Sequence, residues 1–157
     1  MATMIRSLDE AKSFLKSFQD AGQTVVFTNG CFDILHVGHI QLLQEAKTFG
    51  DILVVGLNSD RSVASIKGAD RPINTEVNRA ILLDALSVVD LVLLFHDDTP
   101  VPLIKELQPD VHVKGGDYDA EALPEYPVIK EYGGRVEIVD LVPNHSTSSL
   151  IKTIQSL

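Results

Sequence analysis

The chain reads as an α/β protein with a doubly wound, Rossmann-like parallel sheet of about five strands and helices on both faces. Three observations predict this. Strand-type and helix-type patterns alternate from residue 24 onward, the order from which right-handed βαβ crossovers are built. The runs around Val25-Val26-Phe27 and Ile52-Leu53-Val54-Val55 are continuously apolar, as in strands buried on both faces of a parallel sheet. Between them, Thr28-Asn29-Gly30-Cys31-Phe32-Asp33-Ile34-Leu35-His36-Val37-Gly38-His39 joins a strand end to a helix start, where open α/β sheets bind ligands.

In order, Ser7-Leu8-Asp9-Glu10 has capping-box spacing, and Leu8, Ala11, Leu15 and Phe18 share one helical face that should end near Gly22. A strand follows over Thr24–Thr28. The helix after His36 carries Leu42, Leu43, Ala46 and Phe49 toward the core and stops at Gly50. Asp51–Leu57 is the next strand, and Asn58-Ser59-Asp60 caps a short helix through Ala64. Ile66–Pro72 is polar and marked by Gly and Pro, a candidate lid carrying Lys67. Thr75 or Asn74 caps a helix whose apolar positions are Val77, Ala80, Ile81 and Ala85. Val89–Phe95 is the third strand. Thr99 as N-cap and Pro100 as first helical residue open a helix that runs to Pro109. Val111–Val113 is a fourth strand, followed by a turn at Lys114-Gly115-Gly116-Asp117-Tyr118 that permits close backbone approach by a ligand. A helix over Glu125–Tyr132 leads to the fifth strand, Val136–Val139. Ser146-Thr147-Ser148-Ser149 then opens a last helix with Leu150, Ile151, Ile154 and Leu157 on an apolar face.

With 157 residues, 45% of them hydrophobic and 22% charged, the chain suffices for one globular domain over residues 1–157, a helix in 1–23 and a core in 24–157. No apolar run reaches the roughly 18 residues of a membrane span. Met1–Arg6 lacks the pattern of a signal peptide, so the expected location is the cytoplasm. The lone cysteine, Cys31, excludes an internal disulfide and a multi-cysteine metal site, and no triad pattern makes it a nucleophile. A net charge of −9 opposes binding to nucleic acid or anionic membrane. A polyanionic substrate would need the basic residues gathered in one cleft, with Mg²⁺ helping.

His36 and His39 at i and i+3 admit several readings. Metal ligation lacks a nearby third ligand. Core or capping histidines are one alternative; an anion site is another, because Gly38 leaves the backbone N–H groups of the helix start open and two imidazoles lie beside them. The hydroxyl run Ser146-Thr147-Ser148 is either a simple cap or a second phosphate cradle. Lys67 is either a solvated lysine or a movable charge, and Arg79 has no acidic partner at i±4, which suggests a role elsewhere. There is no GxGxxG and no GxxxxGK[ST], so phosphate binding would use another device.

Together these residues resemble the cytidylyltransferase-like nucleotidyltransferase superfamily, with its HxGH core at 36–39 and its serine/threonine-rich start of the last helix at 146–152. More narrowly, Asn58-Ser59-Asp60, the segment 67–74, Arg79 and Val113–Tyr118 are similar to the bacterial D-glycero-β-D-manno-heptose 1-phosphate adenylyltransferases. The resemblance implies a HIGH-type nucleotidyltransferase fold and transfer of AMP from ATP to heptose 1-phosphate, by in-line attack without a covalent intermediate. On that basis His36, His39 and Lys67 would be catalytic. Thr28, Asn29, Gly30, Phe32, Gly38, Ser146, Thr147 and Ser148 would bind nucleotide phosphates, and Arg79 would support the phosphates or the loop. Asn58, Asp60, Lys114, Gly115, Gly116 and Asp117 would shape the acceptor or nucleotide pocket, with Asp33 either joining them or bracing the HVGH turn. Mg²⁺ would be held by the phosphates, the partners would be ATP and heptose 1-phosphate, and a homodimer is expected. In many such relatives the activity follows a sugar kinase domain, for which these residues leave no room, so a stand-alone form is expected. The rivals are the same chemistry on glycerol 3-phosphate with CTP or on FMN with ATP, and a nucleotide-binding module without turnover.

Overall fold

The computed structural model describes residues 3–4 and 7–157. Its strands are β1 (Thr3–Met4), β2 (Val25–Gly30), β3 (Ile52–Asn58), β4 (Leu91–Phe95), β5 (Val111–Gly115) and β6 (Arg135–Val139). Its helices are α1 (Leu8–Asp20), α2 (Val37–Lys47), α3 (Asp60–Lys67), α4 (Glu76–Asp84), α5 (Val101–Leu107), α6 (Tyr126–Glu131) and α7 (Thr147–Gln155). The strands pair in parallel in the order β1-β4-β3-β2-β5-β6. The predicted five parallel strands are therefore present, joined by the two-residue edge strand β1, too short to show any periodicity.

The chain runs from β2 outward through β3 to β4, then returns to the other side of β2 as β5. The switch point of the sheet thus lies between β2 and β5, where successive connections diverge and leave a crevice beyond the strand ends. Both central strands are apolar over Val25–Phe27 and Ile52–Leu57 because alternate residues there feed two cores. Val26, Leu53, Val55 and Leu57 join Leu43, Ala46, Ala80 and Leu83 on one face. Val25, Phe27 and Val54 join Ala11, Leu15, Ile104 and Ile129 on the other. No helix among the described residues is long and apolar enough to cross a membrane. Of the amino-terminal stretch read for a leader, Met1, Ala2, Ile5 and Arg6 lie outside the described residues.

Four expectations are corrected. Helix α3 extends to Lys67, so this lysine ends a helix and does not belong to a free loop. Helix α4 buries Arg79, Ala80 and Leu83, while Val77 and Ile81 are exposed; a hydrogen-bonded arginine takes the inward position that periodicity reserves for apolar side chains. Helix α5 is capped by Pro100 with no side-chain bond from Thr99. Helix α7 buries none of its residues, and Ile154 on it and Leu157 beyond its end are exposed, because the helix lies outside both cores.

Candidate active site

A cleft of about 340 Å³ opens at the carboxyl end of the sheet between the β2–α2 connection, Lys67 and Arg71, Lys114 near the end of β5, and residues 141–148 leading into α7. It is built first by local geometry. Phe32 and Ile34 both have left-handed backbones, φ 48° and 55°, uncommon for non-glycine residues and an outlier for a β-branched one. Such strain persists where the surroundings over-determine it, and here they turn Asp33 inward. Its Oδ2 accepts from Ile73 N at 2.7 Å and Arg71 Nε at 3.0 Å, and its Oδ1 accepts from Asn74 N at 2.9 Å. Burial alone would raise the Asp33 pKa. The Asn74 and Ile73 N–H groups and the Arg71 guanidinium outweigh it and hold the carboxyl below the usual carboxylate range.

His36 is the N-cap of α2, and its Nδ1 accepts from Gly38 N at 3.1 Å. The proton of neutral His36 therefore sits on Nε2, a donor. A Cβ at Gly38 would lie 2.9 Å from His36 Cε1, so this fold of the ring requires glycine. His39 stacks on His36 with ring centroids 3.8 Å apart and interplanar angle 25°. Burial and the neighbouring His36 lower the His39 pKa to about 4, and burial with His145 nearby lowers that of His36. Both rings are neutral hydrogen-bonding groups near pH 7. His39 Nδ1 and Asn29 Oδ1 are buried without partners among the described residues, and such orphans at a cleft ask for a ligand or water.

Across the cleft, Ser146 and Ser149 form a reciprocal capping box on α7. The first N–H groups of α7 remain free of helical partners, as at any helix N-terminus. Thr147 Oγ1 donates to the Asp33 carbonyl at 2.5 Å, joining the two walls. The lining includes the cations Lys67, Arg71 and Lys114 and one carboxylate, Asp33, so an acidic chain presents a basic cleft.

Of the sequence-derived candidates, Asn29, Gly30, Asp33, His36, Gly38, His39, Lys67, Lys114, Ser146, Thr147 and Ser148 line this cleft. Others do not. Thr28 is buried and its hydroxyl donates to Val113 O at 2.9 Å. Phe32 is buried with its ring against His39. Arg79 is fully buried; it donates to the carbonyls of Cys31, Asn58 and Asn74 and to Asp60 Oδ1. Its place is a brace under the loop, out of reach of a phosphate. Asn58 is buried against Ser62 Oγ, and Asp60 is held by Arg79, so neither lines the cleft. Gly115 packs against Leu141 and Leu42, Gly116 has φ 130° beside the Tyr118 ring, and Asp117 is exposed. Thr147 spends its hydroxyl proton on Asp33 and can offer a phosphate its backbone N–H. Asp33 braces, and it braces residues 71–74 in particular.

Sequence reasoning missed Arg71 and His145 as lining residues. The signal for Arg71 was its charge within the polar 66–72 segment. His145 had none beyond its place next to Ser146. Burial pushes the Cys31 thiol up, so it is a poor nucleophile although it lines the cleft.

The model of the family described as cytidylyltransferase-like matches residues 27–155. The chain is 52% identical over 152 residues to the bifunctional protein HldE of Geotalea uraniireducens, and 49% identical over 150 residues to that of Syntrophotalea carbinolica. These alignments cover 97% and 96% of this chain and 31% of each relative, so the chain spans about a third of the length of these relatives. Among solved structures, a lipopolysaccharide core biosynthesis protein from Thermoplasma volcanium GSS1 superposes with a TM-score of 0.64 at 36% identity, covering 77% of this chain and 98% of that one.

Proposed function

The chain belongs to the cytidylyltransferase-like family, and we propose that it is an adenylyltransferase that moves AMP from ATP to D-glycero-D-manno-heptose 1-phosphate. The products are ADP-heptose, for a bacterial surface glycan, and pyrophosphate. The observation that carries this reading is the gathering of His36, His39, Lys67, Lys114 and the α7 start around one basic cleft at the sheet's switch point. The similarity to HldE proteins and to a lipopolysaccharide core biosynthesis protein supports the acceptor.

On this reading, an oxygen of the acceptor phosphate attacks the α-phosphorus of ATP in line, and the bond to the α–β bridging oxygen breaks, its electron pair leaving with pyrophosphate. His36 donates from Nε2, and His39 and Lys67 donate to the α-phosphoryl oxygens, where charge shifts in the transition state. Ser146, Ser148 and the free N–H groups of α7 hold the departing β- and γ-phosphates. Asn29 and Lys114 orient the substrates. Chemistry of this kind asks the protein for positioning and charge stabilisation above all. The carboxyl in the cleft, Asp33, is committed to three donors, and the described residues contain no cluster of three or more His, Cys, Asp or Glu suited to a metal. On this reading the Mg²⁺ of the reaction arrives with the substrate, held by the phosphates of ATP. The same reading takes residues 24–157 as the transferase core, in the cytoplasm and as a homodimer.

The test is pyrophosphate release from purified protein given Mg²⁺ and either heptose 1-phosphate or glycerol 3-phosphate, with each nucleoside triphosphate in turn. Release with ATP is expected. Release only with CTP and glycerol 3-phosphate would overturn the acceptor and base, and release with no pair would favour a binding module.

A further inference from the structure

Arg71 lies on the segment between α3 and α4, with 13% of its side chain exposed. Its Nε donates to Asp33 Oδ2 at 3.0 Å, and among the described residues its terminal nitrogens have no protein hydrogen-bond partner. Arg79, next to it in the arginine order of the chain, differs: Nε, Nη1 and Nη2 are all bonded to protein groups. A guanidinium on the wall of a cleft that keeps its outer N–H groups unused by protein groups is available to an anion there. Asp33 does more than neutralise it. The same carboxylate accepts from the N–H groups of Ile73 and Asn74, so backbone and guanidinium are fixed as one unit whose outer edge is left unused by the described protein groups. That edge matches two oxygens of one phosphoryl group.

We propose that Arg71 is a phosphoryl receptor of this cleft and that Asp33 is its positioning residue. The proposal rests on the reading of the cleft as a nucleotidyl-transfer site and adds to it a residue outside the HxGH and hydroxyl-rich signatures. The ligand is a phosphoryl group with at least two free oxygens, supplied by the acceptor's phosphate monoester or by the pyrophosphate end of the nucleotide. Thr147, bonded to the Asp33 carbonyl, ties this receptor to the start of α7.

The experiment titrates the wild type, Arg71→Ala, Arg71→Lys and Asp33→Asn with inorganic pyrophosphate and with heptose 1-phosphate by calorimetry, alongside KM for both substrates and a thermal melt. Arg71→Ala is expected to weaken one of the two probes about 10- to 100-fold, as for loss of charge-assisted hydrogen bonds, and the probe affected identifies the source. Arg71→Lys should recover only part of that loss, because an ammonium lacks the fork. Asp33→Asn should weaken the same probe, raising the matching KM more than it lowers kcat. Unchanged affinity for both probes in Arg71→Ala overturns the proposal, as does a wild type that binds neither. If Arg71→Ala fails to fold, Arg71→Lys decides: full affinity for both probes overturns the proposal, and a loss in one supports it. A wild type that binds pyrophosphate through Arg71 yet transfers no nucleotide would refute the proposed function and leave this assignment standing. Normal turnover with unaltered KM values in Arg71→Ala would do the reverse.

Discussion

The two walls of the cleft are held in opposite ways. The wall after β2 grows from a strand between two others, rests on the fully buried Arg79, and clamps residues 71–74 through Asp33. The α7 wall buries none of its residues and reaches the first wall through the Thr147 hydrogen bond. One wall is preorganised by tertiary contacts, and the other is a locally capped helix with few. Elements with little burial open at low free-energy cost, so α7 is the wall suited to admit nucleotide and release pyrophosphate, while the β2 wall keeps the reacting groups in place.

The sharpest way to break this contrast is Arg79→Ala. It strands three carbonyls and Asp60, and a loss of about 3–5 kcal/mol in urea denaturation is expected; a loss under about 1 kcal/mol would deny the β2 wall its rigidity. Next comes His39→Ala, expected to lower kcat for pyrophosphate release by about 10²–10³ with an unchanged melt. Near-normal turnover would remove His39 from the reaction.

Acid should act on the sheet and the β2 wall before α7. Burial lowers the pKa of His39 to about 4, and burial with Lys114 nearby lowers that of His112 to about 3. Unfolded, both titrate near 6.5, so below that pH the unfolded chain takes up protons that the folded chain refuses. Stability is full above about pH 6.5 and falls with acidity by roughly 1.4 kcal/mol per pH unit per histidine until the folded pKa is reached. His112→Leu should flatten the slope of denaturation free energy between pH 6 and 4, and an unchanged slope would show that His112 is not the source.

The smallest effect belongs to Thr147→Val, which removes the link between walls. About 1 kcal/mol of local stability is expected to be lost, seen as faster amide exchange confined to α7 and a several-fold rise in KM for ATP. Exchange spreading into β2 would show that the walls are one unit.

Much of this molecule is legible along the chain. The β2 and β3 segments declare themselves because their apolar residues alternate between two cores, and the Ser7, Ser59, Thr75 and Ser146 caps because the acceptor oxygen lies three residues from the N–H it serves. The cleft is partly legible, since HVGH and the hydroxyl run mark two helix starts. Arg79 misled the reading of α4 because periodicity counts an arginine as outward, and Asp33 stayed open between substrate ligand and brace because its partners lie far along the chain. Arg71 was passed over because a charged residue in a polar segment has no periodic signal.

The sequence by itself determined the alternation of strands and helices, the apolar faces of the central strands and the chemical types gathered at the helix starts. These follow from local rules that act within a few residues. Only the tertiary structure decided which polar groups are spent on one another and which stay free for a ligand. Asp33 meets Arg71 38 residues away and Thr147 114 residues away, and such pairings are chosen by the need to satisfy buried donors and acceptors once the sheet has brought them together.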